Sequence, residues 1–133
     1  MKSVEGTFSK YAVGYSRVLI EIETDCAERL IKIDLDKEDE WNQQLFQGKF
    51  DDWFEGAIYG ANFALDTAKV SNAVIKIKRI VGQTVDTNAT TVASATAKAV
   101  WKAVDFAPPE LLIKNIEEIN KKAWVEYDLI KFE

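Results

Sequence analysis

An α+β domain is the fold class this sequence predicts: a two-layer sandwich with a mixed β-sheet and two main helices packed on one face. Three observations predict it. The stretches around Ile20 and Ile77 alternate apolar and polar residues with the period of two that a half-buried strand requires. The segments after Asp52 and after Ala89 change to small and apolar residues at three- and four-residue spacing, the face of a helix. Turn-forming residues separate the two kinds of stretch, above all in the run from Gly82 to Asn88. One domain is the expectation for 133 residues, a length that buries a sufficient core without a staple.

In chain order, residues 2–8 and 17–24 read as strands. In the second, Val18, Ile20 and Ile22 alternate against Leu19, Glu21 and Glu23. Residues 9–15 form a loop in which Gly14 is available for positive φ. After a short turn at residues 25–27, residues 29–36 predict a third strand, read as an antiparallel hairpin partner of the second. The acidic run Asp34–Glu40 has the spacing Asp34-x-Asp36-x-Glu38 but lacks the glycine and closing glutamate of a calcium loop. An acidic helix start explains it, with a short helix over 38–46 ended by Gly48. Asp51 or Asp52 then caps a longer helix, with Phe54, Ile58, Ala61, Leu65 and Ala68 on one face. Gly56, Gly60 and Ala64 lie four apart beside that face, and predict close backbone approach to a sheet or a second helix. Residues 74–80 form the fourth strand. An alanine-rich helix follows from Ala89, with Val92, Thr96, Ala99, Val100, Ala103 and Val104 on its face, stopped by Pro108-Pro109. Residues 110–122 fit a short helix or an extended edge, and residues 123–133 a closing strand.

Composition excludes a good deal of chemistry. There is no histidine, so Ser-His-Asp and Cys-His catalysis and histidine-ligated zinc are absent from the repertoire. Cys26 is alone, and reads as a small half-buried residue beside a strand end. No apolar run approaches a membrane span and the start has no signal-peptide core, so a cytoplasmic address is expected. The formal net charge of −5 disfavours bare nucleic acid and suits a basic protein partner. Lys76, Lys78 and Arg79 read as a solvated sheet face.

Three strands, a helix, a fourth strand and a second helix is the order of the ribosomal-protein-S5-domain-2-like fold. Within it, Glu5-Gly6-Thr7-Phe8, the loop that follows, and Tyr15 to Glu23 resemble the opening of the fourth domain of elongation factor G. Residues 74–80, then Gly82 to Thr90 and the alanine-rich helix, are similar to that domain's later strand, second tip loop and final helix. The resemblance covers most of residues 4–106. It implies that the two loops sit together at one tip, which in the family enters the ribosomal decoding region. Here the first loop is shorter and poorer in glycine, and no histidine stands beside Asp86. The sequence also shows no nucleotide-binding domain, so translocase activity is not carried over.

These readings lead to an expectation of a stand-alone, non-catalytic module without cofactor or metal, binding a protein or ribonucleoprotein through the loops 9–15 and 82–88. Tyr11, Tyr15, Gln83, Asp86 and Asn88 are its candidate binding residues, against the alternative that the tyrosines lie back on the sheet. A different class is an acidic inhibitor of a basic toxin, with Trp41 interleaved in the acidic stretch 34–52 and Trp53 directly after it. An enzyme is the third class. Glu21 and Glu23 share a strand face and could pair as acid and base, but Gly82 stands isolated and makes no phosphate cradle. The oligomeric state is open, a homodimer through an uncovered tail strand being one form.

Overall fold

Alternation along the chain is matched by alternation of burial. In strand β2 (Gly14–Glu23), Ser16, Val18, Ile20 and Ile22 are buried while every intervening residue is partly exposed. Strand β4 (Ala73–Val81) repeats the pattern with Ala73, Ile75 and Ile77. Together with β1 (Lys2–Lys10) and β3 (Arg29–Ile33) they form a four-stranded mixed sheet in the order β1-β2-β4-β3. The computed structural model describes residues 1–126 and 129–132.

The third strand is not the hairpin partner of the second. β3 runs parallel to β4, which lies between β2 and β3 and is antiparallel to β2. The loop of residues 24–28 therefore spans two strand spacings, about 10 Å. β4 takes the inner position because its apolar face is fully buried, whereas β3 is half-exposed throughout and suits an edge. β3 is also shorter than the sequence predicts. Past Ile33 the chain still bonds to β4 through its backbone, Asp34 N–H to Ile77 O (3.0 Å) and Asp36 N–H to Lys78 O (3.1 Å).

The edge of β4 is then completed by a side chain. Asn42 lies in the 3-10 helix Glu40–Gln47, which Asp39 caps and which ends at Gly48 in a left-handed conformation. Its fully buried amide donates to Lys78 O (2.8 Å) and Asp36 O (3.0 Å) and accepts from Ile80 N–H (3.2 Å). One side chain thus stands in for a missing strand residue.

Helix α1 (Asp51–Thr67) starts at Phe50, not at a capping aspartate. Asp51 and Asp52 fall inside its first turn, where they face the helix dipole instead. Its buried stripe runs through Gly56, Ala57, Gly60, Ala61, Ala64 and Leu65, rotated from the expected face so that Phe54 and Ile58 are partly exposed. The neighbour that the glycines admit is helix α2 (Ala89–Ala103): a Cβ on Gly60 would fall 2.2 Å from Ala93 O.

From Ala89 to Trp101, every residue of α2 except Lys98 is buried. The sheet covers one side, where Gly6 lets β1 approach Ala95 and Ala99, and α1 flanks another. Helix α3 (Glu110–Glu126) and residues 129–132 cover the rest. Residues 110–122 are thus helical, and the helix continues through 123–126 where a closing strand is expected; Tyr127, Asp128 and Glu133 of that strand lie outside the described residues. Ile130 N–H donates to Thr90 Oγ1 (3.0 Å), Phe132 N–H to Tyr59 Oη (2.8 Å), and Asn115 Nδ2 to Phe132 O (3.2 Å). Phe132 is buried against Tyr59 and Phe63, at ring separations of 5.5 and 5.1 Å.

Candidate interaction surface at the loop tips

Antiparallel pairing of β1 and β2 ends at Lys10 and Gly14, so the first loop shrinks to Tyr11-Ala12-Val13. Ala12 takes φ 61° there, and Val13 N–H bonds back to Lys10 O (3.0 Å). The second loop, residues 82–88, folds on itself through Asp86 N–H and Thr87 N–H to Gln83 O. The two loops are then tied together. Tyr15 N–H donates to Asp86 O (2.8 Å), and Thr87 Oγ1 donates to Tyr15 O (2.5 Å) while accepting from Gln83 N–H (2.9 Å). Residues 9–15 and 82–88 therefore share one end of the molecule.

Of the five candidate residues, four reach the surface at this end. Tyr11, Tyr15 and Asp86 line a cleft of about 450 Å³ with Lys10, Val85 and Trp124 among its other walls. Tyr15, Gln83 and Asp86 also line a smaller cleft of about 260 Å³ with Arg17 and Trp41, so Tyr15 and Asp86 border both. Tyr11 is 99% exposed and does not lie back on the sheet; Tyr15 is half-buried. Asn88 is different. It is 4% exposed and forms a reciprocal capping box with Thr91 at the start of α2, its oxygen accepting from Thr91 N–H (3.0 Å). Its work is to start the helix, away from the surface.

Trp124 is the residue that sequence reasoning missed. It projects from α3 to the first cleft. The signal for it was the helical spacing of Ile116, Asn120 and Ala123, which bury the inner face of α3. A polar residue in the middle of that stripe hides it. Asn120 is fully buried, donating to Ser94 Oγ and Ile116 O (2.8 Å each).

The charges at this end are unequally committed. Lys10 Nζ meets Glu117 Oε2 of α3 at 2.5 Å, and this partner holds the Glu117 carboxyl below its usual range. Nearby Lys98, the one α2 residue open to solvent along the buried stretch, lies 5.3 Å above the Phe8 ring, and burial lowers its pKa. Arg17 pairs with Glu5 (3.3 Å) and stands over Trp41, and Arg79 reaches Asp39 and Glu5. The Asp86 carboxylate has no hydrogen bond or ion pair among the described residues.

Other candidate groups are dispersed. Asp34 is turned to Lys78 (3.0 Å), which lowers its pKa, and Asp36 accepts from Glu38 N–H (3.0 Å). Glu23 accepts from Asp25 N–H and lies near the N-terminal amine. Of the two tryptophans in and directly after the acidic stretch, Trp53 is core and Trp41 is 48% exposed. Cys26 is partly buried in the turn between β2 and β3.

No protein-family model matches the sequence, and no curated protein matches it. Solved structures do share the architecture. A mevalonate kinase aligns over 97% of this chain and 48% of its own, at 15% identity with a TM-score of 0.51. The mevalonate kinase of Methanococcus jannaschii aligns over 96% of this chain and 46% of its own, at 15% identity with a TM-score of 0.47. This chain thus spans about half the length of those kinases. At this identity the likeness concerns the fold, which is the S5-domain-2-like α+β sandwich that the order of elements predicts.

Proposed function

We propose that this chain is a non-catalytic interaction module, working in the cytoplasm, that engages a protein or ribonucleoprotein partner through its loop tips. One observation carries the reading: two loops 70 residues apart in sequence are locked side by side, presenting Tyr11 (99% exposed) and Val85 (68% exposed) around a cleft. An apolar group held out on a rigid tip is an anchor for a partner, because it has no packing of its own to lose. The resemblance to the tip of elongation factor G domain IV points the same way. No helix of the described residues is long and apolar enough to cross a membrane.

A photo-crosslinking amino acid placed at Tyr11, in cells expressing the full chain, tests this. Discrete adducts that disappear with Val85→Asp are expected, and a probe at Leu111, exposed on α3, serves as the control. Identical adducts from both positions, or none from Tyr11, would remove the tip from consideration.

Trp41 and Phe46, about half-exposed on the 3-10 helix that follows the acidic run, favour a second reading as an inhibitor of a basic protein. Under it, Trp41→Ala would weaken binding more than Tyr11→Ala, and the association rate would fall steeply with salt. Asp34 and Asp39 already pair with Lys78 and Arg79, which leaves less charge for steering.

A further inference from the structure

We infer that the larger tip cleft is a receptor for a cationic side chain, an arginine presented by a protein partner. This rests on the reading of the tips as an interaction surface and adds what they recognise. Three aromatic residues border the cleft, Tyr11, Tyr15 and Trp124, contributed by the first loop, β2 and α3. Aromatic faces attract cations through their quadrupoles, and guanidinium also stacks on them. Val85 offers an apolar wall of the kind along which the methylene stem of an arginine lies.

The charge balance selects a cation over an anion. Among the described residues, Lys10 is the cleft's only basic one, and its ammonium is already neutralised by Glu117 at 2.5 Å. Asp86 is, among the described residues, the cleft's only acid. Its backbone builds the tip, through Tyr15 N–H and Gln83 O, while its carboxylate is left uncommitted. A bidentate guanidinium would satisfy both carboxylate oxygens. The formal charge of −5 on the whole chain adds a field of the same sign.

The separation of duties at Asp86 makes the inference testable without unfolding the tip. The probe is N-acetyl-arginine amide, titrated into isotope-labelled full-length protein and followed by NMR, with the neutral isostere N-acetyl-citrulline amide as control. Saturable shifts are expected at the Trp124 indole and at the amides of Tyr15 and Asp86. Asp86→Asn should weaken arginine binding about tenfold, the loss expected for one charge-assisted contact, while leaving the spectrum folded. Tyr11→Ala, at a side chain that packs on nothing, should weaken it about threefold, at the exposed end of the cation–aromatic range. Equal affinity for citrulline, shifts confined to other surfaces, or an unchanged affinity in Asp86→Asn would each overturn the inference. If arginine fails while Tyr11 cross-links persist, the tip remains an interaction surface of different chemistry; if both fail, the underlying reading falls with it.

Discussion

Gly60 gives the clearest test of a single atom. In an exposed helix, glycine to alanine stabilises by about 1 kcal/mol, because it removes backbone freedom from the unfolded chain. At Gly60 the added methyl would lie 2.2 Å from Ala93 O, a backbone atom that cannot move without shifting α2. Overpacking of this kind costs about 1–3 kcal/mol, so Gly60→Ala should lower the urea midpoint; a raised midpoint would show that α1 and α2 are not so close. Asn42 is tested in the opposite direction, by removal. Asn42→Ala would leave the buried Ile80 amide of the β4 edge without its acceptor and the Lys78 carbonyl with Asp36 N–H alone, at about 1–3 kcal/mol. Hydrogen exchange at Ile80 should accelerate more than at Ile75, whose register with Ile31 is maintained by backbone pairing. Only the glycine was partly legible beforehand. The glycine spacing signals close approach, though not to what. Asn42 gives no signal, since an asparagine in an acidic stretch reads as solvated until β4 is placed beside it.

At the scale of elements, α2 is the piece most fully written in the chain. The polar run before it supplies the Asn88–Thr91 capping box, and small residues allow burial on every side. α3 and the terminal segment were not legible in the same way. Trp124, Glu126, Asp128 and Ile130 alternate with the period of a strand, while the buried stripe of the helix passes through polar Asn120. Docking of residues 129–132 rests on Phe132. Phe132→Ala removes a 3%-exposed ring from between Tyr59 and Phe63, and should cost about 3 kcal/mol in urea unfolding. A negligible change would mean that the segment contributes little to holding α1 and α3 together. The Lys10–Glu117 pair joins β1 to α3 and makes that contact sensitive to acid. The Glu117 carboxyl is held below its usual range, chiefly by the Lys10 hydrogen bond. Its stabilising share is therefore complete above the usual carboxylate pKa and is lost as pH falls through the lower folded value. Both groups are solvent-facing, so the effect is small. Glu117→Gln should flatten part of the acid limb of a stability–pH curve and leave its alkaline limb unchanged.

Over the whole molecule, Lys98 carries the same pH sign in the alkaline window. Burial lowers its pKa, so the folded protein holds that proton less tightly than the unfolded chain. Stability from this group rises as pH climbs from the lowered folded value toward the ordinary lysine value. Lys98→Met should abolish that alkaline rise; a rise that survives would assign it to other groups. The chain's periodicities by themselves determined that a sheet is covered by helices on one face, because alternation and helical spacing record which side of each element leaves water. That both loops sit at one tip came from the family resemblance, and the hydrogen bonds of Tyr15 with Asp86 and Thr87 tie them there. Only the tertiary structure decided that β4 separates β2 from β3, that α3 replaces a closing strand, and that Trp124 joins the tyrosines beside Asp86. Burial patterns state that a face is covered, and the identity of what covers it depends on contacts between residues far apart in the chain.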